Sequence, residues 1–309
     1  MLSFGLFPMV KVLVSILVVV LLSLIAEHAG PRVAGVVSGY PLGAAISLLF
    51  IGIEISPAFA ARSAVFTAAG LTGTVAFVGG YLLGLKAAEG RRRLPALGIA
   101  LLPALAAYGL TAWGVSLVSI NRGSALLIAM ASMILADRVF RTIPDTAIHA
   151  KIQLGFGVTL LRALFAALVI LMITTAARTV GPEWAGLFSA FPITMLPLLV
   201  IIQFTYQPAH VRTIIKNIPR GLGSLLIYAL VVATTYADLG IVWGTLLGYL
   251  AATWRPLIFA EEDVALDPFQ LWLQAMLVAL VAAVALVALA AAALFLLGQV
   301  RLHHPPAPS

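Results

Sequence analysis

Long stretches of apolar residues, separated by short polar and charged clusters, run through the whole chain. Residues 12–26 and 277–297 are two of these stretches, and neither contains a charged side chain. A helix needs about 20 such residues to cross the hydrocarbon core of a bilayer. Cutting the chain at charged and turn-forming clusters predicts ten transmembrane helices, and therefore an all-α polytopic membrane protein. The predicted helices cover residues 5–27, 32–55, 60–85, 94–118, 122–140, 152–178, 183–206, 213–236, 238–254 and 267–297.

The composition excludes a water-soluble globular protein. Of the 309 residues, 62% are hydrophobic and only 9% are charged, whereas about a quarter of the residues of a soluble domain are charged. The chain has no cysteine, which rules out disulfides and thiolate chemistry. Motifs for metal-dependent, nucleophilic or nucleotide-driven catalysis are missing as well, so the sequence predicts no enzyme, no cofactor and no metal site.

Positive charge is distributed unequally between the two sides of the membrane in the ten-helix prediction. Loops rich in Lys and Arg stay on the cytoplasmic side of a bacterial-type inner membrane. We therefore expect both termini outside, and the net charge of +7 is an orientation signal that indicates no nucleic-acid partner. The outer residues are Lys11, Arg62, Arg122, Arg178 and Arg301. The cytoplasmic residues are Arg32, Lys86, Arg91, Arg92, Arg93, Arg138, Arg141, Lys151, Arg162, Arg212, Lys216, Arg220 and Arg255.

One sequence motif occurs twice in the chain. Residues 30–41 read GPRVAGVVSGYP, and residues 181–192 read GPEWAGLFSAFP. At a constant offset of 151 positions the two copies share glycines, prolines and one serine, and Tyr40 corresponds to Phe191. Shared prolines at a fixed spacing are hard to obtain by chance in an apolar sequence. The motif therefore predicts an internal duplication.

The duplication predicts two five-helix repeats, over residues 1–150 and 151–300, followed by a disordered tail over 301–309. Equivalent helices of the two repeats are separated by five spans. Because five is an odd number, the second repeat inserts in the opposite direction to the first. An inverted five-plus-five plan is typical of secondary transporters, whose substrate site lies near the membrane midplane between the repeats.

The motif also predicts a broken second helix in each repeat. Pro41 and Pro192 lack an amide hydrogen, so each frees a backbone carbonyl within its helix. Broken backbone at membrane depth is tolerated only where it faces protein or a water-filled cavity. We therefore expect a midplane site for a polar solute or a cation. Its expected residues are Ser38, Tyr40, Pro41, Ser189, Phe191, Pro192 and Gln203. Alternatively, the prolines only kink the helices, and the small residues only pack.

Two ionisable residues inside predicted helices are expected to couple transport to a gradient of H⁺ or Na⁺. Glu54 lies near the end of the second helix, and Arg162 lies inside the sixth. Each has an alternative role: Glu54 as an interfacial carboxylate paired with Arg62, and Arg162 as a side chain that extends back to the cytoplasmic interface. A separate charged cluster is expected to end the fifth helix, and it consists of Asp137, Arg138, Arg141 and Asp145.

Two glycine patterns predict close contacts between helices. Gly80 and Gly84 are four residues apart, and the same spacing relates Gly240, Gly244 and Gly248. Glycines at this spacing share one helix face and allow a second helix to approach closely. We expect them to pack inside the helix bundle, with a homodimer contact as the alternative.

The segment from Val158 to Pro192, a helix with an early basic residue followed by AGLFSAFP, resembles the small GlpM-type integral membrane proteins. The resemblance covers residues 158–254 and, more faintly, 8–118. It implies that this chain is a tandem version of such a unit, with an extra span that inverts the second copy. It implies no catalytic or binding residue. The plan and length are also similar to those of drug/metabolite-type transporters.

These observations favour a secondary active transporter that moves a small solute by alternating access. Its partners would be the lipid bilayer, a small-molecule or ion substrate and a coupling ion. The alternative is a membrane subunit or scaffold that does not transport and that packs against a partner through its glycine faces.

Overall fold

The computed structural model describes residues 9, 11–17, 20, 40–143, 156–205 and 208–258. Every regular element in this part of the chain is an α-helix. Helix α1 covers residues 11–17. The other helices are α2 (Gly43–Glu54), α3 (Pro57–Ala87), α4 (Arg93–Ser116), α5 (Arg122–Phe140), α6 (Phe156–Ser189), α7 (Met195–Thr205) and α8 (Pro208–Ile258).

Five helical segments of the described residues are long and apolar enough to cross a membrane, and they lie in α3, α4, α5, α6 and α8. Large apolar side chains cover the outer faces of α4 and α5; Leu102 and Leu127, for example, are 71% and 68% exposed. Such continuous apolar surface is unusual against water but normal against lipid tails. The apolar helices therefore indicate a protein that is embedded in a membrane.

Helices α3, α4 and α5 confirm three of the predicted helices to within three residues at each end. They include the predicted fifth helix, which is short and closely followed by charge. The first predicted helix is described only in part, and the tenth (267–297) and the tail (301–309) lie outside the described residues. The count of ten helices in two repeats therefore stays a prediction.

Two glycines with positive φ divide long helices into separate segments. Gly181 (φ 81°) separates residues 156–180 from 182–189 in α6, and Gly240 (φ 78°) divides α8. This backbone conformation costs glycine little and strains other residues. The two parts of α8 fold back on each other, because a Cβ at Gly248 would lie 2.9 Å from the Tyr228 ring. The prediction of two helices here is thereby confirmed, but the boundary lies at Gly240, three residues beyond the predicted position between 213–236 and 238–254.

Helix α3 is the most buried of the long helices and packs against α4, α5, α6 and α8. Its glycines bring α4 close: a Cβ at Gly80 would lie 2.5 Å from the Pro103 carbonyl oxygen, and one at Gly84 would lie 2.5 Å from Ala100 Cα. The predicted glycine contacts therefore lie inside the bundle for Gly80, Gly84, Gly244 and Gly248, whereas Gly240 is the break itself, and no atom lies within 4 Å of its Cβ position. We call the end of the bundle where α3 begins the Arg62 end, and the end where α3 finishes the Arg212 end.

Candidate functional site

Two short non-helical segments, each centred on a proline, lie next to helices. The one at Pro192 separates two helices as the sequence predicts, whereas the residues before the one at Pro41 lie outside the described part of the chain, so a broken helix there stays a prediction. Break 1 comprises residues 40–42 and precedes α2, and break 2 comprises residues 190–194 and separates α6 from α7. Both contain the same tight turn: Leu42 N–H donates to the Tyr40 carbonyl at 2.7 Å, and Ile193 N–H donates to the Phe191 carbonyl at 2.7 Å. Proline, which has no N–H and a fixed φ, suits the central position of this turn.

The start of α2, directly after break 1, contacts break 2. A Cβ on Gly43, the first residue of α2, would lie 3.3 Å from Ile193 Cβ in break 2. Break 2 also contacts the middle of α3, because a Cβ on Gly70 would lie 2.8 Å from Ala190 Cβ. Since α3 has 31 residues and each adds about 1.5 Å, the contact lies roughly 20 Å from the Arg62 end of α3.

From this contact, helices α2 and α7 run toward opposite ends of the bundle. Helix α2 ends at Glu54, three residues before α3 begins at the Arg62 end. Helix α7 runs toward the other end, where Gln203 Oε1 accepts a hydrogen bond of 2.5 Å from Tyr81, which lies near the C-terminal end of α3. The N-termini of both helices therefore meet near the middle of the bundle.

Hydroxyl groups from α3 and α4 bond to the carbonyls around break 2. At membrane depth no water is available, so protein groups must satisfy the carbonyls at the end of α6. All three donors are buried in the bundle. The hydrogen bonds run from Thr67 to the Gly186 carbonyl (3.0 Å), from Tyr108 to Leu187 (2.5 Å) and from Thr74 to Ala190 (2.7 Å). These carbonyls therefore already accept hydrogen bonds from the protein, as expected if the prolines only kink the helices and do not form a substrate site.

Each break also carries an aromatic side chain that packs against a tyrosine from the other predicted repeat. Phe191 meets Tyr108 edge-on at a centroid distance of 5.1 Å, and Tyr40 lies 6.2 Å from Tyr249. The Tyr249 hydroxyl donates to the Pro41 carbonyl at 3.2 Å. Tyr108 and Tyr249 were not expected at the site. The one sequence signal for them is that each belongs to the fourth predicted helix of its repeat.

The remaining predicted substrate-binding residues have mixed outcomes. Ser189 is buried, and its Oγ donates to the Ala185 carbonyl of its own helix at 2.8 Å. Gln203 accepts the hydrogen bond from Tyr81 and so connects two helices. Ser38 lies outside the described residues. Tyr40, Phe191 and Thr194 keep part of their surface exposed, so these three side chains offer the accessible surface of the breaks.

Glu54 forms a buried ion pair with Lys11, and the alternative pairing with Arg62 is wrong. Lys11 Nζ also donates to Thr174 Oγ1 at 2.9 Å, and the Lys11 and Glu54 side chains are only 5% and 18% exposed. Arg62 instead pairs with Glu183 at 2.8 Å. Burial explains the choice, since an ammonium group enclosed by protein needs a close carboxylate, whereas an exposed guanidinium does not.

Arg162 does not join this ion pair. It precedes Thr174 by twelve residues on the same helix, which is about 18 Å. Arg162 is 7% exposed, so it is buried within the bundle, and its extension to the cytoplasmic membrane interface stays a prediction. The two predicted coupling residues therefore occupy different depths.

A second group of charges lies at the Arg212 end. Arg212 pairs with Glu89, and Asp137 accepts from Arg141 at 2.8 Å and from Arg220 at 3.4 Å. The predicted cluster at the end of the fifth helix is thus confirmed for Asp137 and Arg141, and Asp145 lies outside the described residues. The basic partners of these pairs all belong to the predicted cytoplasmic set, whereas Lys11 and Arg62 belong to the outer set.

No family model, curated protein or solved structure matches this chain. The relationship to GlpM-type proteins therefore stays a prediction.

Substitution of Thr74 by valine tests whether the α3 hydroxyls support break 2. We expect Thr74→Val to lower the free energy of unfolding by about 1–2 kcal/mol, because it leaves the Ala190 carbonyl buried without its donor. Thr72→Val is the matched control, since the Thr72 hydroxyl has no hydrogen-bond partner among the described residues. Denaturant unfolding of the purified protein in detergent measures both. Equal effects of the two substitutions would contradict the assignment.

A double-mutant cycle tests the buried ion pair. Lys11→Met should lower the free energy of unfolding by about 3–5 kcal/mol, because it leaves the Glu54 carboxylate buried without its cation. Adding Glu54→Gln should recover most of that loss. The same cycle on the exposed pair Arg62 and Glu183 should give a coupling energy below about 1 kcal/mol. If the two cycles give equal coupling energies, Lys11 and Glu54 are not a buried pair.

Proposed function

We propose that this chain is a secondary active transporter of a small solute, built from two inverted five-helix repeats and working by alternating access. The observation that carries the proposal is the contact of break 2 with the start of α2, directly after break 1, near the middle of α3. From that contact α2 and α7 run to opposite ends of the bundle. Discontinuous helices whose N-termini meet near the midplane are the usual setting of a transport site.

Two features of the breaks support the inverted plan. Both contain the same turn around proline, between Tyr40 and Leu42 and between Phe191 and Ile193. A tyrosine from the fourth helix of the opposite predicted repeat packs on each break: Tyr249 bonds to the Pro41 carbonyl of break 1, and Tyr108 bonds to the Leu187 carbonyl in the helical turn before break 2. Such reciprocal packing is what a pseudo-twofold axis in the membrane plane would generate.

The Lys11–Glu54 pair is proposed as the coupling element. It joins α1 and α2 of the first predicted repeat to Thr174 in the second, close to the Arg62 end. Rocking of one repeat against the other would separate these groups, and their interaction would change as H⁺ or Na⁺ binds. Arg162 is proposed as the corresponding charged residue of the second repeat, because it occupies the position of Lys11 at the offset of 151.

The proposed location is a bacterial-type inner membrane, with several spans and with both termini outside. The Arg62 end then faces the exterior. Among the described residues, the ion pairs at the two ends involve different sets of Lys and Arg, as this orientation requires.

A scaffold without transport activity is the second candidate. The occupied carbonyls around break 2 and the Ser189 hydrogen bond to its own helix favour it. A rigid kink would need all of these bonds, whereas a transport site must open during its cycle.

Cysteine accessibility separates the two candidates, and the natural chain, which has no cysteine, is already a suitable background. Thr194 lies in break 2 and is partly exposed. If the chain alternates its access, Thr194→Cys should react with a membrane-impermeant thiol reagent in both right-side-out and inside-out vesicles. A static scaffold allows reaction from one side at most, and that result would contradict the transport proposal.

Three control variants accompany this measurement. Ala69→Cys, at a fully buried position, should react from neither side. Ser119→Cys at the Arg62 end and Ala87→Cys at the Arg212 end are exposed. In the proposed orientation, Ser119→Cys reacts in intact cells, and Ala87→Cys reacts only after lysis. The reverse pattern would contradict the proposed orientation.

A further inference from the structure

A cleft of about 770 Å³ opens at the Arg62 end, between α3, the first turn of α5 and the loop that joins α4 to α5. Its walls combine two kinds of side chain. Leu117, Val118 and Ile120 are apolar and accessible at the cleft, whereas Val65 and Phe66 beneath it are buried; the charged residues at the cleft are Arg62, Arg122 and Glu183. A volume of this size is typical of sites for small organic molecules.

The charges of the cleft favour an anion. Arg62 and Glu183 pair at 2.8 Å, and their charges offset each other. The guanidinium of Arg122 has neither an ion pair nor a hydrogen bond within the described part of the chain. It therefore leaves the cleft with a net positive charge.

The start of α5 adds to this preference. Asn121 caps the helix by accepting a hydrogen bond from Ser124 N–H at 2.9 Å. The first two amide groups of the helix, those of Arg122 and Gly123, precede the capped position and have no carbonyl of their own helix to bond. With the positive end of the helix dipole, they favour negative charge beside Arg122.

We propose that this cleft binds an amphiphilic organic anion, with its carboxylate or phosphate between Arg62 and Arg122 and its apolar part on the exposed side chains of Leu117 and Val118. In the structure, Glu183 occupies the position of that anionic group against Arg62. A ligand therefore competes with Glu183 for the Arg62 guanidinium. The apolar walls distinguish such a ligand from an inorganic anion, which would leave them uncovered.

The cleft is also connected to the candidate transport site through the helix that carries Glu183. Glu183 belongs to the short helix 182–189, which leads directly into break 2. Phe66 packs against the same helix, because a Cβ on Gly186 would lie 2.8 Å from Phe66 Cβ. Release of Glu183 from Arg62 would therefore act on the segment that carries break 2. The binding site itself rests on the cleft alone and does not require that the chain transports its ligand.

A fluorescent label on Ser119→Cys, a position that lines the cleft, measures binding directly. The labelled protein is placed in phosphatidylcholine nanodiscs and titrated with octyl phosphate and octanoate, and with octanol as the uncharged probe. We expect saturable binding of both anions and none of octanol. Arg62→Gln and Arg122→Gln should each weaken anion binding about tenfold, which corresponds to the loss of one charge-assisted hydrogen bond.

Glu183→Gln is the most specific variant, because it should tighten binding severalfold by removing the competing carboxylate. A merely structural ion pair predicts no such gain. Arg91→Gln, at an exposed position in the loop after α3, is the matched charge control and should bind like the unchanged protein.

Nanodiscs that contain phosphatidylglycerol identify the source of the anion. If the lipid weakens octyl phosphate binding in the unchanged protein and not in Arg122→Gln, a lipid headgroup occupies the site. If it has no effect, the site takes a free organic anion. Both outcomes support the proposal. Equal affinity of Arg62→Gln, Arg122→Gln and Arg91→Gln, or equal binding of octanol, would overturn it. This binding assay is independent of the cysteine accessibility that tests transport.

Discussion

The need to satisfy backbone carbonyls where water is absent shapes the centre of this protein. Proline in each break removes a donor and interrupts the regular hydrogen bonding of its helix. In hydrocarbon, every group left in this way must find a partner in the protein. Around break 2, Thr74 is the donor to the Ala190 carbonyl, and Thr67 and Tyr108 are second donors to the Gly186 and Leu187 carbonyls, which also accept from Ala190 N–H. At break 1, Tyr249 is the donor to the Pro41 carbonyl. These donors fix where α3, α4 and α8 lie relative to the breaks.

The centre of the bundle and its two ends differ in the kind of polar contact that they contain. Around the breaks, the side-chain hydrogen bonds of the described residues join hydroxyl groups to carbonyls and, between Tyr40 and Thr253, two hydroxyl groups, and they involve no charge. The ion pairs named above lie at the two ends, and of these pairs that of Lys11 and Glu54 is the most enclosed by protein. In the transport proposal, the centre therefore binds through neutral groups and aromatic surfaces. The proposed anion cleft, with Arg62 and Arg122, lies at one of the two ends.

The helices and their breaks could be predicted because their causes are local. Apolar runs of membrane-spanning length define α3, α4 and α5, and the chemistry of proline and glycine explains the interruptions at Pro192 and Gly240. Close packing at Gly80 and Gly84 follows from residue size alone.

The partners of individual side chains could not be predicted in this way. Lys11 and Glu54 are 43 residues apart, and Arg62, which is much nearer in sequence to Glu54, points to another helix and pairs with Glu183. The tyrosines that hold the breaks are likewise remote: Tyr108 reaches Leu187 across 79 residues. Helices that are apolar on all sides carry no periodic signal for the face that each presents to its neighbours.

Cross-linking of the start of α2 to break 2 tests the central claim most directly. In the double variant Gly43→Cys and Ile193→Cys, the Cβ separation of about 3.3 Å is close to the 3.5–4.5 Å typical of disulfides. Mild oxidation in native membranes should therefore join the two halves of the chain, as shown by proteolysis between them. The control pair Gly43→Cys and Gln203→Cys, at the far end of α7, should not cross-link. Failure of the first pair to cross-link, or equal cross-linking of both pairs, would contradict a contact between the start of α2 and break 2 at the centre of the protein.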